Sequence, residues 1–217
     1  MKGDRVRVEE HHVRVAEQVA ALLHPRISGG SGRLVVTIAG ESGSGKSETA
    51  RALADRLQAH GVGAVVLGQD DYFVLPPRSN DARRRADPAW LGPHVEVNMD
   101  LLDANLRDAR EGHAQIAKPL VDYDANSISQ ETVRMEGVRV VIAEGTYTSL
   151  LRHVDVRIFI LRNQQDTLEH RRRRGRGTEA GDPFIEQVLD MEHKIIAGHR
   201  GLADIVITRD YDVQPVP

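Results

Sequence analysis

Short runs of β-branched residues alternate along this chain with stretches whose apolar positions recur every three or four residues. That alternation predicts a parallel sheet with crossover helices, because each buried strand must be followed by a helix that returns the chain across the sheet. Residues 13 to 23, V-R-V-A-E-Q-V-A-A-L-L, predict an amphipathic helix, and S-G-G-S-G (28 to 32) releases the chain into a strand at Leu34–Ala39. The helix formers of 47 to 59 follow, stopped by H-G-V-G, then a strand over 64 to 68. Residues 76 to 97 are polar and proline-bearing and read as a long loop. A helix is expected at 99 to 111 and an extended stretch at 114 to 124, where Pro119 excludes helix. Two continuous apolar runs, 138 to 143 and 156 to 161, read as central strands. After them come a very basic helix, a Gly-rich break, a helix over 182 to 196 and a last strand at 203 to 208.

With 217 residues, 40% hydrophobic and 28% charged, the chain has enough apolar material for one substantial core. A formal charge of -3 gives no reason to expect a nucleic-acid partner. The absence of cysteine excludes disulfides and thiolate chemistry, and no apolar run reaches the roughly 18 residues of a membrane span. A cytoplasmic protein is therefore expected. His11 and His12 have no partner at metal-ligand spacing and read as solvent-exposed.

The stretch G-E-S-G-S-G-K-S (40 to 47) changes this picture from fold to chemistry. It satisfies G-x-x-x-x-G-K-[ST] with Gly40, Gly45, Lys46 and Ser47, between a predicted strand and a predicted helix. Glycines at 40, 43 and 45 let the backbone turn its N–H groups inward, and the helix N-terminus adds positive potential for phosphate oxygens. Lys46 is placed to reach β and γ phosphates and Ser47 to offer a hydroxyl to Mg2+. Ser42, Ser44 and Glu48 share the nucleotide-binding segment. Such a loop also serves switch proteins and motors, so it does not by itself specify a kinase.

Further along, acidic residues end two strands: Asp70 and Asp71 after V-V-L-G-Q, and Glu144 after V-V-I-A. In a parallel sheet both lie on the carboxyl edge, beside the phosphate loop, where ligands bind. One carboxylate can take a hydroxyl proton while another completes a magnesium shell. An Asp-Asp pair after glycine is also ordinary turn chemistry.

These residues resemble the phosphoribulokinase and uridine kinase family of P-loop kinases, from about Leu34 to about Asp210. The resemblance rests on G-E-S-G-S-G-K-S-E-T-A, V-L-G-Q-D-D-Y-F, P-L-V-D-Y-D, V-V-I-A-E-G-T-Y and the basic H-R-R-R-R. It implies Asp70 as catalytic base, Glu144 with Ser47 at Mg2+, and Tyr123 lining the acceptor site. Lid arginines are implied at Arg171 and Arg172, with Arg174 and Arg176 behind them. Because no helix turns four successive residues to one face, at most two of these point at a ligand. The resemblance alone suggests a homodimer.

Departures bear on the substrate. Where uridine kinases carry a base-reading histidine, this chain has Ile128, and Ala180 stands before Gly181 where the lid normally has arginine. L-G-P-H-V-E-V-N-M-D leaves His94 or Glu96 at an aspartate position, and the aromatic candidates for stacking reduce to Tyr72, Phe73, Trp90, Tyr123 and Tyr147. The expectation is an α/β three-layer P-loop NTPase fold in a single domain, with a parallel five-stranded sheet and helices on both faces. Residues 28–71 and 137–210 form the nucleotide-binding core, 72–136 an acceptor-binding lobe and 170–182 an Arg-rich lid. Catalysis is assigned to Asp70, Lys46, Arg171 and Arg172, and acceptor contacts to Tyr72, His94, Tyr123, Glu144 and Arg176. ATP and Mg2+ are the expected cofactors and a small hydroxyl compound the acceptor. The alternatives to a uridine kinase-like enzyme are a kinase for a sugar phosphate or pantothenate-like acceptor, and a nucleotide-binding regulatory module with no acceptor.

Overall fold

The computed structural model describes residues 1–3, 6–163, 166 and 182–216. The lid assigned to Arg171, Arg172, Arg174 and Arg176 lies outside the described residues.

Eight strands and five α-helices are described. Helix α1 spans Glu10–Gly29, followed by β1 (Leu34–Gly40), α2 (Lys46–Ala59) and β2 (Gly63–Gly68). Next come α3 (Pro77–Ala86), α4 (Met99–Arg110) and the hairpin β3 (Gln115–Asp122) with β4 (Ser127–Arg134). The chain then forms β5 (Val138–Glu144), β6 (Val156–Ile160), α5 (Pro183–Ile196), β7 (Ile205–Ile207) and β8 (Val213–Pro215). The main sheet has six strands in the order β2-β5-β1-β6-β7-β8. The first five run parallel, and β8 adds an antiparallel edge, Ile207 facing Val213, so the expected five strands become six.

Alternate residues of each strand feed opposite cores, as a two-residue period requires. Val36, Ile38, Val140, Ile142, Ile158 and Ile160 pack under α1 and α2 through Val15, Val19, Leu23, Leu53 and Leu57. Val35, Val141, Ala143, Phe159 and Val206 face the other way, against Leu102 and Leu106 of α4 and Ile196 of α5. The result is three layers with helices on both faces.

Three local differences from the sequence reading have physical causes. Helix α1 runs beyond 23, through Pro25, and Arg139 of β5 donates to the carbonyls of Ile27, Gly30 and Ser31, holding the helix end and the turn after it. Residues 77–86 are helical although they lack an apolar stripe; the buried residue of α3 is Asn80, and Pro77 sits in the first turn where its missing N–H costs nothing. His12 is fully buried, not exposed, because α1 lays it against the phosphate loop. A methyl group at Gly45 would come within 3.0 Å of His12 Nε2.

The segment inserted between β2 and β5 is pinned to the sheet by Arg33, at the approach to β1. Its guanidinium donates to four carbonyls, those of Ala109, His113, Met135 and Val138. Asp103 of α4 accepts from the backbone N–H of both Arg152 and His153, fastening the helix to the loop after β5. No helix among the described residues is long and apolar enough to cross a membrane.

Candidate active site

The loop leaving β1 wraps tightly before α2 begins at Lys46. Gly40, Gly43 and Gly45 all adopt positive φ. At Gly40 a side chain has no room, since a Cβ would sit 2.9 Å from Ser44 Oγ and 3.0 Å from the Ile160 carbonyl. The turn closes through Ser44 N–H donating to the Glu41 carbonyl at 3.1 Å. Lys46 Nζ donates to the Glu41 carbonyl at 2.8 Å, so the ammonium lies along the loop it would serve.

At the end of β2 the chain turns through a 3-10 segment, Gln69–Tyr72, that distributes its side chains three ways. Asp70 faces the cavity beside Lys46, Ser47 and Glu144. Asp71 is buried, with Lys118 Nζ at 2.7 Å and the Val121 N–H donating to it at 3.1 Å. Lys118 also meets Glu131 at 2.6 Å, so this ion pair anchors the β3–β4 hairpin under the turn that carries Asp70. Tyr72 enters the core, 0% exposed, and its hydroxyl accepts from Asn105 Nδ2 at 2.9 Å. Burial drives its phenol pKa well above the usual range.

Glu144 ends β5 next to the loop, and Ser47 Oγ donates to its Oε1 at 3.2 Å. Dense protein around the carboxylate, followed by the charge of Asp70, pushes Glu144 up to about 7. Gly145 then lets β5 pass close to the first turn: a Cβ there would fall 2.2 Å from Gln69 Cβ. Gln69 Oε1 accepts from the Tyr147 N–H at 2.7 Å, tying the two strand ends that bear Asp70 and Glu144.

These groups open onto one cavity of about 840 Å³. Ser42, Gly43, Lys46 and Ser47 form one side, Asp70 and Glu144 the floor, and Arg84, Glu96 and Tyr123 of the inserted segment the opposite wall. Helix α5 closes a third side with Glu192. Its position is fixed by His193 Nδ1, 2.6 Å from Glu41 Oε1 in the phosphate loop, and by Asp182 at its N-cap, 2.7 Å from Arg85 of α3. The pairing of a serine hydroxyl with a carboxylate raised in pKa by burial and by the neighbouring Asp70 suits a hard, oxygen-seeking divalent cation such as Mg2+.

A family model for the "Phosphoribulokinase / Uridine kinase family" matches residues 35–213. The chain belongs to that family. Kinases of this family are phosphotransferases acting on hydroxyl groups. A bifunctional α-galactosidase/sucrose kinase of Mediterraneibacter gnavus is 29% identical over 192 residues, covering 83% of this chain; the chain spans 20% of that much longer protein. A uridine kinase of Staphylococcus haemolyticus is 30% identical over 183 residues, 80% of this chain and 86% of the relative. Among solved structures, the D-glycerate 3-kinase of Cryptococcus neoformans superimposes with a TM-score of 0.62 at 15% identity, covering 93% of this chain and 99% of that one. At that identity the likeness concerns the fold.

Within this family framework the residues expected at the site divide. Asp70, Lys46, Ser42, Gly43, Ser47, Glu144 and Tyr123 share the cavity. Gly40, Ser44 and Gly45 shape the loop from behind, and Glu48 is fully buried in the first turn of α2. Tyr72 and His94 do not line the cavity. Tyr72 faces the core because the 3-10 turn rotates it away from Asp70, and His94 is exposed outside the cavity wall. Glu96, two residues on, holds the wall, accepting from Arg84 Nε at 2.6 Å, Asn80 Nδ2 at 3.2 Å and the Gly92 N–H at 3.3 Å. Ile128 sits on β4 opposite Val121 and does not reach the cavity.

Glu192 escaped sequence reasoning. Glu192 had a visible signal: it occupies the buried stripe of α5 with Val188, Leu189 and Ile196, where an apolar residue is expected. Arg84 belongs to R-R-R (83 to 85), which from sequence reads as a loop run contacting either the acceptor or nothing, since α3 lacks the periodicity that would have marked its faces.

Proposed function

We propose that this chain transfers the γ-phosphoryl group of ATP to a hydroxyl of a small molecule. The observation that carries the reading is the convergence of the phosphate loop, Asp70 and the Ser47–Glu144 pair on one cavity. In this reading the acceptor oxygen forms its bond to the γ phosphorus as the bond to the β,γ-bridging oxygen breaks, and ADP leaves. The acceptor proton passes to Asp70, a half-buried carboxylate on the cavity floor. Lys46 leaves the Glu41 carbonyl for phosphate oxygens and stabilises the charge spread over the transferred group. Ser47 and Glu144 would hold Mg2+, which when bound neutralises phosphate charge.

The relatives point two ways on the acceptor, a uridine kinase on one side and a sucrose kinase domain on the other. Either supports a hydroxyl acceptor over a regulatory module, and the carboxylate floor gives such an acceptor a base. Titration calorimetry with Mg-ATP, paired with acceptor-dependent ADP release, tests the reading. Lys46→Ala should lower ATP affinity and turnover together; a variant with normal values for both would remove the phosphate loop from the function.

A further inference from the structure

The cavity lining carries polar groups that the transfer chemistry does not use. Glu192 is 8% exposed and its Oε2 has no hydrogen-bond partner among the described residues. Tyr147 is 1% exposed and its hydroxyl is likewise without a partner among the described residues. Both line the cavity, as does Arg84, whose Nε is taken by Glu96 while no described residue accepts from its two Nη groups. Buried polar atoms left unpaired cost roughly 1–3 kcal/mol each, so a fold that keeps two of them on residues of one cavity lining is built to pair them with something else.

The chemistry of that partner follows from what the wall offers. Glu192 Oε2 is an acceptor, the Arg84 Nη groups are donors, and the Tyr147 hydroxyl is either. A row of hydroxyl groups matches all three, because each hydroxyl both donates and accepts. An anionic acceptor does not: seven carboxylates against four cationic side chains line the cavity among the described residues, and Glu96 already balances Arg84. A nucleobase would need flat apolar faces on both sides. The Phe73 ring is covered by the Arg84 guanidinium at 5.6 Å, and Tyr147 presents a buried hydroxyl.

We propose that Arg84, Glu192 and Tyr147 form a subsite for adjacent hydroxyls of an uncharged polyol, a free sugar or sugar alcohol, and so select the acceptor. This rests on the kinase reading above and narrows it. The carboxylate and guanidinium hold two hydroxyls of the polyol while a third is turned to Asp70. Phosphorylated sugars and hydroxy acids are used less well because they bring a second anion beside the triphosphate, into a cavity whose described lining already carries more carboxylates than cationic side chains.

ADP release at saturating Mg-ATP should be measured across free hexoses, pentoses and hexitols, their monophosphates, D-glycerate, uridine and cytidine. The expected result is a neutral polyol with kcat/KM at least about tenfold above any phosphorylated, carboxylate or nucleoside compound, one lost buried hydrogen bond being worth about that factor. Glu192→Gln and Tyr147→Phe should each raise the KM for that polyol about tenfold while kcat changes less than about threefold. Uridine or an anion as best substrate overturns the subsite, as does ATP binding without turnover of any neutral polyol. Unchanged polyol KM in both variants, each folded by its melting curve, overturns it as well. Failure of Mg-ATP to bind, by contrast, defeats the kinase reading itself.

Discussion

A carboxylate enclosed as Glu192 is, ionises at a cost. Burial pushes it up to about 7, against the pull of Arg84 and Lys46 and with the added repulsion of Glu96 and Asp70. Between the ordinary carboxylate value and about 7 the folded protein therefore holds a proton that the unfolded chain has released, so stability falls as pH rises through that window. A tenfold difference in proton affinity is worth about 1.4 kcal/mol, which bounds the loss at about 3 kcal/mol. Chemical denaturation from pH 5 to 8 should show a decline in the native protein that Glu192→Gln makes shallower, the remainder coming from Glu144, which is raised to about the same value. A flat native profile would mean the carboxylate is solvated. The same residue marks the limit of the sequence reading: a glutamate on a buried helical stripe is visible as a misfit, but which cavity receives it depends on packing. Asp70 and Glu144 were legible because a strand end in a parallel sheet fixes its own edge. Tyr72 and His94 fall outside the cavity lining because a single 3-10 turn, or a shift of two residues in an irregular loop, decides which side chain faces inward.

The 3-10 turn Gln69–Tyr72 and the β3–β4 hairpin behave as one element, joined by the buried Lys118–Asp71 pair. Lys118→Met should destabilise the protein by about 3 kcal/mol, the scale of stripping a buried carboxylate of its partner, even with the Met1 amine 3.2 Å from Asp71. Because Asp70 rides on the same turn, kcat should fall more than affinity for Mg-ATP does. A melting midpoint equal to that of the native protein would show the pair to be dispensable. Gly145→Ala forces a Cβ to within 2.2 Å of Gln69, and overpacking of this kind costs about 1–3 kcal/mol. Strands and the apolar helices were readable from their periods of two and near four. Helix α3 was not, because it is arginine-rich and buries an asparagine, so no hydrophobic period announces it.

At the scale of the whole molecule, α1 and α2 complete one face of the sheet that carries the phosphate loop on its carboxyl edge. The first helix, to which the sequence assigned no clear role, is thus core: Leu23→Ala should cost about 2–5 kcal/mol, read from denaturant midpoints, while a cost below about 0.5 kcal/mol would make α1 an appendage. The architecture gathers the glycine-rich loop, the Ser47–Glu144 pair and Asp70 from three separate strand ends into one cavity. That convergence was foreseeable because the ends of parallel strands share the carboxyl edge, whereas the closing wall from α3 and α5 was not. The central claim is that Asp70 takes the acceptor proton, and single-turnover phosphoryl transfer in Asp70→Asn tests it most directly. The rate should fall by about 10^2 to 10^4-fold with Mg-ATP affinity preserved; a transfer rate within about threefold of the native protein would contradict it.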